Sequence, residues 1–277
     1  MKKILLIFAL LFSGISFAQI QTPQPSPYGK IEQVVGLTDV TVEYSRPGMR
    51  DREIFGGLVP FGEMWRTGAN ENTKITFSDP VEINGKKLDA GTYAIFTVPS
   101  KNQWDVIFYS DVQNWGLPQK WDDSKVALKT TAKVINMPLN METFTILIDE
   151  LKNDSAVLNF LWENTIASLE FKVPTEEKAM TSIKQIMNGP TGSDYYAAAN
   201  YYYETGKDLK QALNWINKAV KENDAFYILR KKALIQAELG MKKKAIETAR
   251  LSLEGAKKAN NKDYVKMNEA SIKEWGS

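Results

Sequence analysis

The sequence predicts a mainly β N-terminal domain, an antiparallel β-sandwich or flattened barrel, followed by an all-α helical-repeat domain. Three observations carry this. Between Tyr28 and Val173, short apolar segments alternate with period two or run unbroken for about a strand's length. Asn84-Gly85 separates two of those segments, and Asn-Gly is the pair best suited to the positive φ that a two-residue hairpin turn needs. After Pro174 the apolar period becomes that of a helix, and a helix, Gly turn, helix block recurs, with Gly206 and Gly240 34 positions apart.

The elements follow in order. Lys2 and Lys3 precede the apolar run "ILLIFALLFSGISF", and Ser16-Phe17-Ala18 places small residues where a signal peptidase reads. Residues 1–18 are therefore expected to be a cleaved signal peptide; the run is short for a membrane span. An exported protein, periplasmic or secreted, with no transmembrane segment after cleavage is the expectation. Residues 19–27, "QIQTPQPSP", read as an extended, Pro-rich leader.

Residues 28–173 form the expected β domain. "DVTVEY" alternates Val40, Val42 and Tyr44; "TKITF", "VEI" and "KKL" follow. "GTYAIFTV" is apolar on both faces, as a strand buried on both sides requires. "WDVIFY", "FTILID", "AVLNFLW" and "IASLEFKV" complete eight or nine short strands. Residues 174–277 form the expected tetratricopeptide-like domain of about five helices, opening with Thr175 as N-cap and acids in the first turn. "YYYETGKDLKQALNWINKAV" and "LIQAELGMKKKAIETARLSL" are the two repeated blocks, with Ala212 and Ala245 where paired helices approach.

Composition limits the chemistry. The 277 residues contain no Cys and no His. That removes disulfides, thiol nucleophiles, Ser-His-Asp triads and His or Cys metal sites. Asp, Glu, Lys, Arg, Tyr, Ser and Thr remain. "SDPVEING" and "QKWDDS" lack the alternating oxygen ligands of a calcium loop, so no metal and no cofactor are expected. Residues 19–173 hold 15 basic and 20 acidic side chains, and residues 174–277 hold 18 and 13. The "RKK" and "KKK" runs lie on amphipathic helices, so nucleic acid is not expected as a partner.

One long motif resembles a known family. Ser45-Arg46-Pro47, Arg52, Ile54-Phe55-Gly56, Leu58-Val59-Pro60, Gly62, Trp65 to Asn70, Thr73 and Ala90 to Tyr93, with "WDVIFY" and "NWG" downstream, carry it. They are similar to a secreted bacterial family known as domain of unknown function 2911, common in Bacteroidota, over roughly residues 25 to 173. The resemblance implies an envelope location, an all-β domain and often a helical, tetratricopeptide-like tail. It implies no activity, substrate or catalytic residue.

The candidate site is "FGEMWRTGANENT", residues 61–73, with "SRPGMRDREIFGGLVP" before it. Arg46, Arg50, Arg52 and Arg66 fall close together with Asp51, Glu53, Glu63 and Glu71, and the glycines permit irregular backbone. One alternative is a fastening: Arg forks bind loop carbonyls, Trp65 plugs the sandwich end, and Asn70 and Thr73 cap turns. A second places Arg46, Arg52 and Arg66 with Asn70 around an anionic or sugar ligand, with Trp65 and Trp115 as stacking walls and Trp104 and Trp121 as further surface. A third is a carboxylate hydrolase acting on glycans or other envelope material, with Glu63 as the weak catalytic candidate beside Asp51 or Glu71. The helical tail offers a groove for a protein or peptide, with Tyr195, Tyr196, Tyr201 to Tyr203, Trp215 and Tyr227 available to line it. The leading expectation is a non-enzymatic ligand-binding or protein-interaction module. The alternatives are the hydrolase and a structural partner protein that binds through its helical repeats.

Overall fold

The computed structural model describes residues 22–187 and 189–276. The expected signal peptide lies outside them, as do the first residues of the leader. The chain divides into two compact units between Thr175 and Glu176.

Among the described residues the first unit contains nine strands: β1 (Tyr28–Val35), β2 (Thr38–Ser45), β3 (Ala69–Phe77), β4 (Val81–Ile83), β5 (Lys86–Leu88), β6 (Gly91–Val98), β7 (Gln103–Tyr109), β8 (Val126–Asp149) and β9 (Ser155–Lys172). They pair antiparallel in one sheet ordered β1-β2-β3-β6-β7-β8-β9-β4-β5. The sheet is open rather than a closed barrel, with β1 and β5 at its edges. Asn84 (φ 49°) and Gly85 (φ 75°) make the expected β4–β5 turn.

β8 and β9 are far longer than the expected short strands. "AVLNFLW" and "IASLEFKV" belong to one strand, and "FTILID" is only the second half of β8. Each long strand changes course where the register slips, between Asn136, Met141 and Thr145 on β8 and opposite Glu163 on β9. Glu163 has φ 52°, so the period-two pattern breaks there without ending the strand. The bend brings the far half of β8 over the core to the end of β2. The Ile146 amide donates to the Tyr44 hydroxyl at 3.0 Å, and Gly48 pairs with Thr143.

One apolar core runs between the folded halves. Val42, Tyr44, Ile75, Phe77, Trp104, Phe144, Phe160, Trp162 and Phe171 are buried in it. A large side chain buried this fully contributes roughly 1.5–3 kcal/mol. β6 is buried on both faces, as its sequence predicts. Its outer face holds a second cluster, Ala94 and Phe96 with Ile107 and Tyr109 of β7. The loop after β7 covers that cluster, where Trp121 stacks on Tyr109 at 4.5 Å.

Among the described residues the second unit has six helices, one more than expected: α1 (Thr175–Ile186), α2 (Gly192–Glu204), α3 (Leu209–Glu222), α4 (Phe226–Glu238), α5 (Lys242–Lys258) and α6 (Lys262–Gly276). Thr175 is the first residue of α1 rather than its cap. Its buried hydroxyl has no hydrogen-bond partner and lies beside the tight turn at Gly36. The Gly turns form as expected. After α2, Lys207 N–H reaches Tyr202 O (2.8 Å) with Gly206 at φ 65°. After α4, Met241 N–H reaches Gln236 O (2.8 Å) with Gly240 at φ 75°. These are matching glycine C-caps. Ala212 and Ala245 are fully buried.

Candidate functional site

The 61–73 segment is fixed to the sheet by its own backbone and three hydroxyls. Gly62 N–H donates to Pro99 O (2.9 Å), and Trp65 exchanges two backbone bonds with Thr97 (2.7 and 3.0 Å). The Thr67 hydroxyl donates to that of Thr97 (3.0 Å), and the Thr73 hydroxyl donates to Thr67 O (2.5 Å). Thr67 holds φ 55°, which a β-branched residue adopts only when its surroundings insist. Asn72 then ties the loop to the one after β7. Its amide donates to Gly116 O (2.6 Å) and its carbonyl accepts from Asn114 N–H (3.2 Å). Sequence reasoning missed Thr67 and Asn72 as fastenings. The signal available was polar residues inside a segment too irregular to pair them by a ladder.

Trp65 closes the end of the core. Its ring stacks on Trp162 (5.7 Å between centroids, 18° between planes) and meets Phe144 edge-on at 5.1 Å. Its Nε1 donates to Gly68 O (3.2 Å). Trp65 and the edge of the buried Trp162 also line a pocket of about 400 Å³. Arg50, Arg52 and Arg66 line it too, together with Pro25 and Ser26 of the leader.

Each of these arginines is oriented by neutral carbonyls. Arg52 donates to Met49 O and Gly48 O (both 2.8 Å), Arg50 to Pro25 O (2.7 Å) and Arg66 to Asn70 O (3.1 Å). A guanidinium has five N–H donors, so most of them remain available. Among the described residues none of the three forms an ion pair. Asp51 and Glu53 are exposed and do not line the pocket. Backbone strain gathers at the same place: Arg50 (φ 52°), Asp51 (φ 57°), Thr67 (φ 55°) and Asn70 (φ 59°) are all left-handed.

The other expected residues lie elsewhere. Arg46 turns to β8, donating to Phe144 O (3.2 Å) and the Thr145 hydroxyl (2.8 Å), and lines no part of this pocket. Asn70 forms the wall shared with a neighbouring pocket of about 380 Å³, its amide donating to Ser26 O and the Ser45 hydroxyl (both 3.2 Å). Trp115, 71% exposed, stands at that second pocket beside Tyr28, Glu43 and Glu71. The Tyr28 hydroxyl donates to Glu43 (2.5 Å), which pushes the phenol up to about 12. Trp104 and Trp121 are packing residues. Glu63 is exposed and lines neither pocket. Among the described residues no three acidic groups converge as metal ligands.

Fold and site thus define an open, folded-over antiparallel sheet with a basic pocket at the end of its core, followed by a helical unit. The chain belongs to the family described as Protein of unknown function (DUF2911), whose model matches residues 26–171. That span contains every arginine and tryptophan of the pocket. No curated protein and no solved structure matches the chain.

Proposed function

We propose that the first unit is a non-enzymatic binding module that captures a small anionic ligand, carboxylate or phosphate, in the Arg50-Arg52-Arg66 pocket. One observation carries this: Arg50, Arg52 and Arg66 line one pocket of about 400 Å³, and among the described residues none of their guanidiniums forms an ion pair, the nearby Glu142 carboxylate accepting from the Arg50 amide instead. Arg presents paired, planar donors that match carboxylate and phosphate oxygens. The half-buried Trp65 ring offers an apolar face to the rest of the ligand.

The lysine start, apolar run and cleavage pattern of residues 1–18 support export, so the ligand is one met outside the cytoplasm. The twin Gly-capped helix pairs support a tetratricopeptide-like arrangement of the second unit.

The test is thermal melting of the mature protein with phosphate, citrate, glucuronate and glucose at matched ionic strength. At least one anion should raise the melting temperature saturably while glucose does not. A flat response to all four, or an equal response to glucose, contradicts the proposal.

A further inference from the structure

β1 forms one edge of the sheet, and its outer rim is free. Val35 and Thr38 pair across the two-residue turn Gly36-Leu37, with Gly36 at φ 57°. A hairpin this tight closes on a residue pair that exchanges both backbone bonds. The register then runs without a bulge to Tyr28 opposite Ser45, so the odd-numbered residues of β1 bond to β2. The amides and carbonyls of Tyr28, Lys30, Glu32 and Val34 therefore point away from the sheet. Two contacts agree with this alternation. Pro27 O, on the inner side, accepts from Arg46 N–H (2.9 Å), and Val34 O, on the outer side, accepts from the Gln33 side-chain amide (2.9 Å). Among the described residues no other outward group of β1 has a hydrogen-bond partner. The leader does not cover the rim, because it turns inward: Ser26 O accepts from the Asn70 amide of β3 and Pro25 O from Arg50.

The same four residues carry the exposed side chains of the strand. Tyr28 (63% exposed) and Val34 (57%) stand at its two ends. Lys30 and Glu32 lie between them and pair with each other. An edge of this kind is a template for one more strand, and its own sequence is complementary to it. Laid antiparallel on a second copy with Ile31 facing Ile31, all four outward residues find partners. Lys30 falls opposite Glu32 and Tyr28 opposite Val34, each pair occurring twice. The charges form an alternating square, and aromatic and β-branched side chains meet across the strands. Sliding the register by two residues sets Lys30 on Lys30 in one direction and Glu32 on Glu32 in the other. The register that uses the whole rim is thus the one in which opposite charges meet.

We infer that β1 docks antiparallel on β1 of a second copy of this chain, joining two sheets into one across a two-fold axis at Ile31. The contact is isologous, so it closes at a dimer and leaves β1 with no free rim.

The experiment is sedimentation equilibrium of the mature chain over a wide concentration range at low salt. The wild type should show a reversible monomer–dimer equilibrium. Lys30→Glu and Glu32→Lys each set like charges across the two-fold axis and should each weaken the dimer by about tenfold or more. Both positions are exposed, so circular dichroism should show each variant folded. An equal mixture of the two variants should dimerise again, since each strand then faces one of opposite charge. The doubly substituted Lys30→Glu/Glu32→Lys chain should dimerise by itself. A wild type that stays monomeric would leave this edge to a different chain and overturn the inference. So would a dimer indifferent to both single variants, or single variants that fail to rescue each other.

Discussion

The Arg66 guanidinium rests against the backbone of Gly116: a Cβ placed on Gly116 would stand 2.7 Å from Arg66 Cζ. Gly116 also sits at φ 92° and accepts the Asn72 amide, so two irregular loops meet at one glycine. Gly116→Ala should therefore displace Arg66 from the pocket. The left-handed backbone adds a cost of about 2 kcal/mol. The expected outcome is a folded protein of reduced stability by urea unfolding, with its anion-induced melting shift lost. An unchanged shift would mean that the position of Arg66 does not matter to binding.

Trp65 and Arg66 are neighbours with different duties, and truncation should separate them. Trp65→Ala removes a ring that touches Phe55, Trp104, Phe144 and Trp162, and should cost about 3–5 kcal/mol. Arg66→Ala removes one hydrogen bond to Asn70 O and no ion pair, and should cost only about 0.5–1.5 kcal/mol. Urea unfolding of both checks this. Equal losses would make Arg66 a fastening rather than a ligand residue.

Much of this fold was legible because its signals are local. Asn84-Gly85 dictates its own turn, and the unbroken apolar run of "GTYAIFTV" is buried on both faces as written. β1 was not legible: Val35 is its only buried residue, so its pattern is that of a solvated edge. The single long β9 was hidden by the bulge at Glu163. At the site, the arginines and Trp65 stood out by type. Their partners did not, because those are set by long-range folding. Arg46 turns to a carbonyl 98 residues away, while Arg50, not singled out as a ligand residue, faces the pocket.

Tyr28 gives a pH signature. Its hydrogen bond to Glu43, with burial and the charge of that carboxylate adding to it, pushes the phenol from 10.0 to about 12. The folded state favours the protonated phenol, so the contribution of this bond is complete below pH 10. It is lost as pH rises through about 12. Phenolate absorbance of the wild type minus that of Tyr28→Phe should show one late-titrating phenol. A difference curve centred near 10 would contradict the pairing.

The two Gly-turned helix pairs differ at the start of their second helix. Asp208 caps α3, accepting from the amides of Lys210 and Gln211, whereas Met241 offers α5 no side-chain cap. Asp208→Ala should cost about 1 kcal/mol, and Met241→Ser should gain up to about 1 kcal/mol. Amide hydrogen exchange in the first turns of α3 and α5 reads each effect. Faster exchange in α5 of Met241→Ser would contradict the assignment.

The central claim is that Arg50, Arg52 and Arg66 form an anion site. Its most direct test is calorimetric titration of citrate into the mature wild type and Arg66→Gln at low and at moderate salt. The account predicts saturable binding to the wild type that weakens with salt, and an affinity at least about tenfold lower in Arg66→Gln at unchanged ligand-free stability. No saturable binding, or equal affinity in the two proteins, would contradict it.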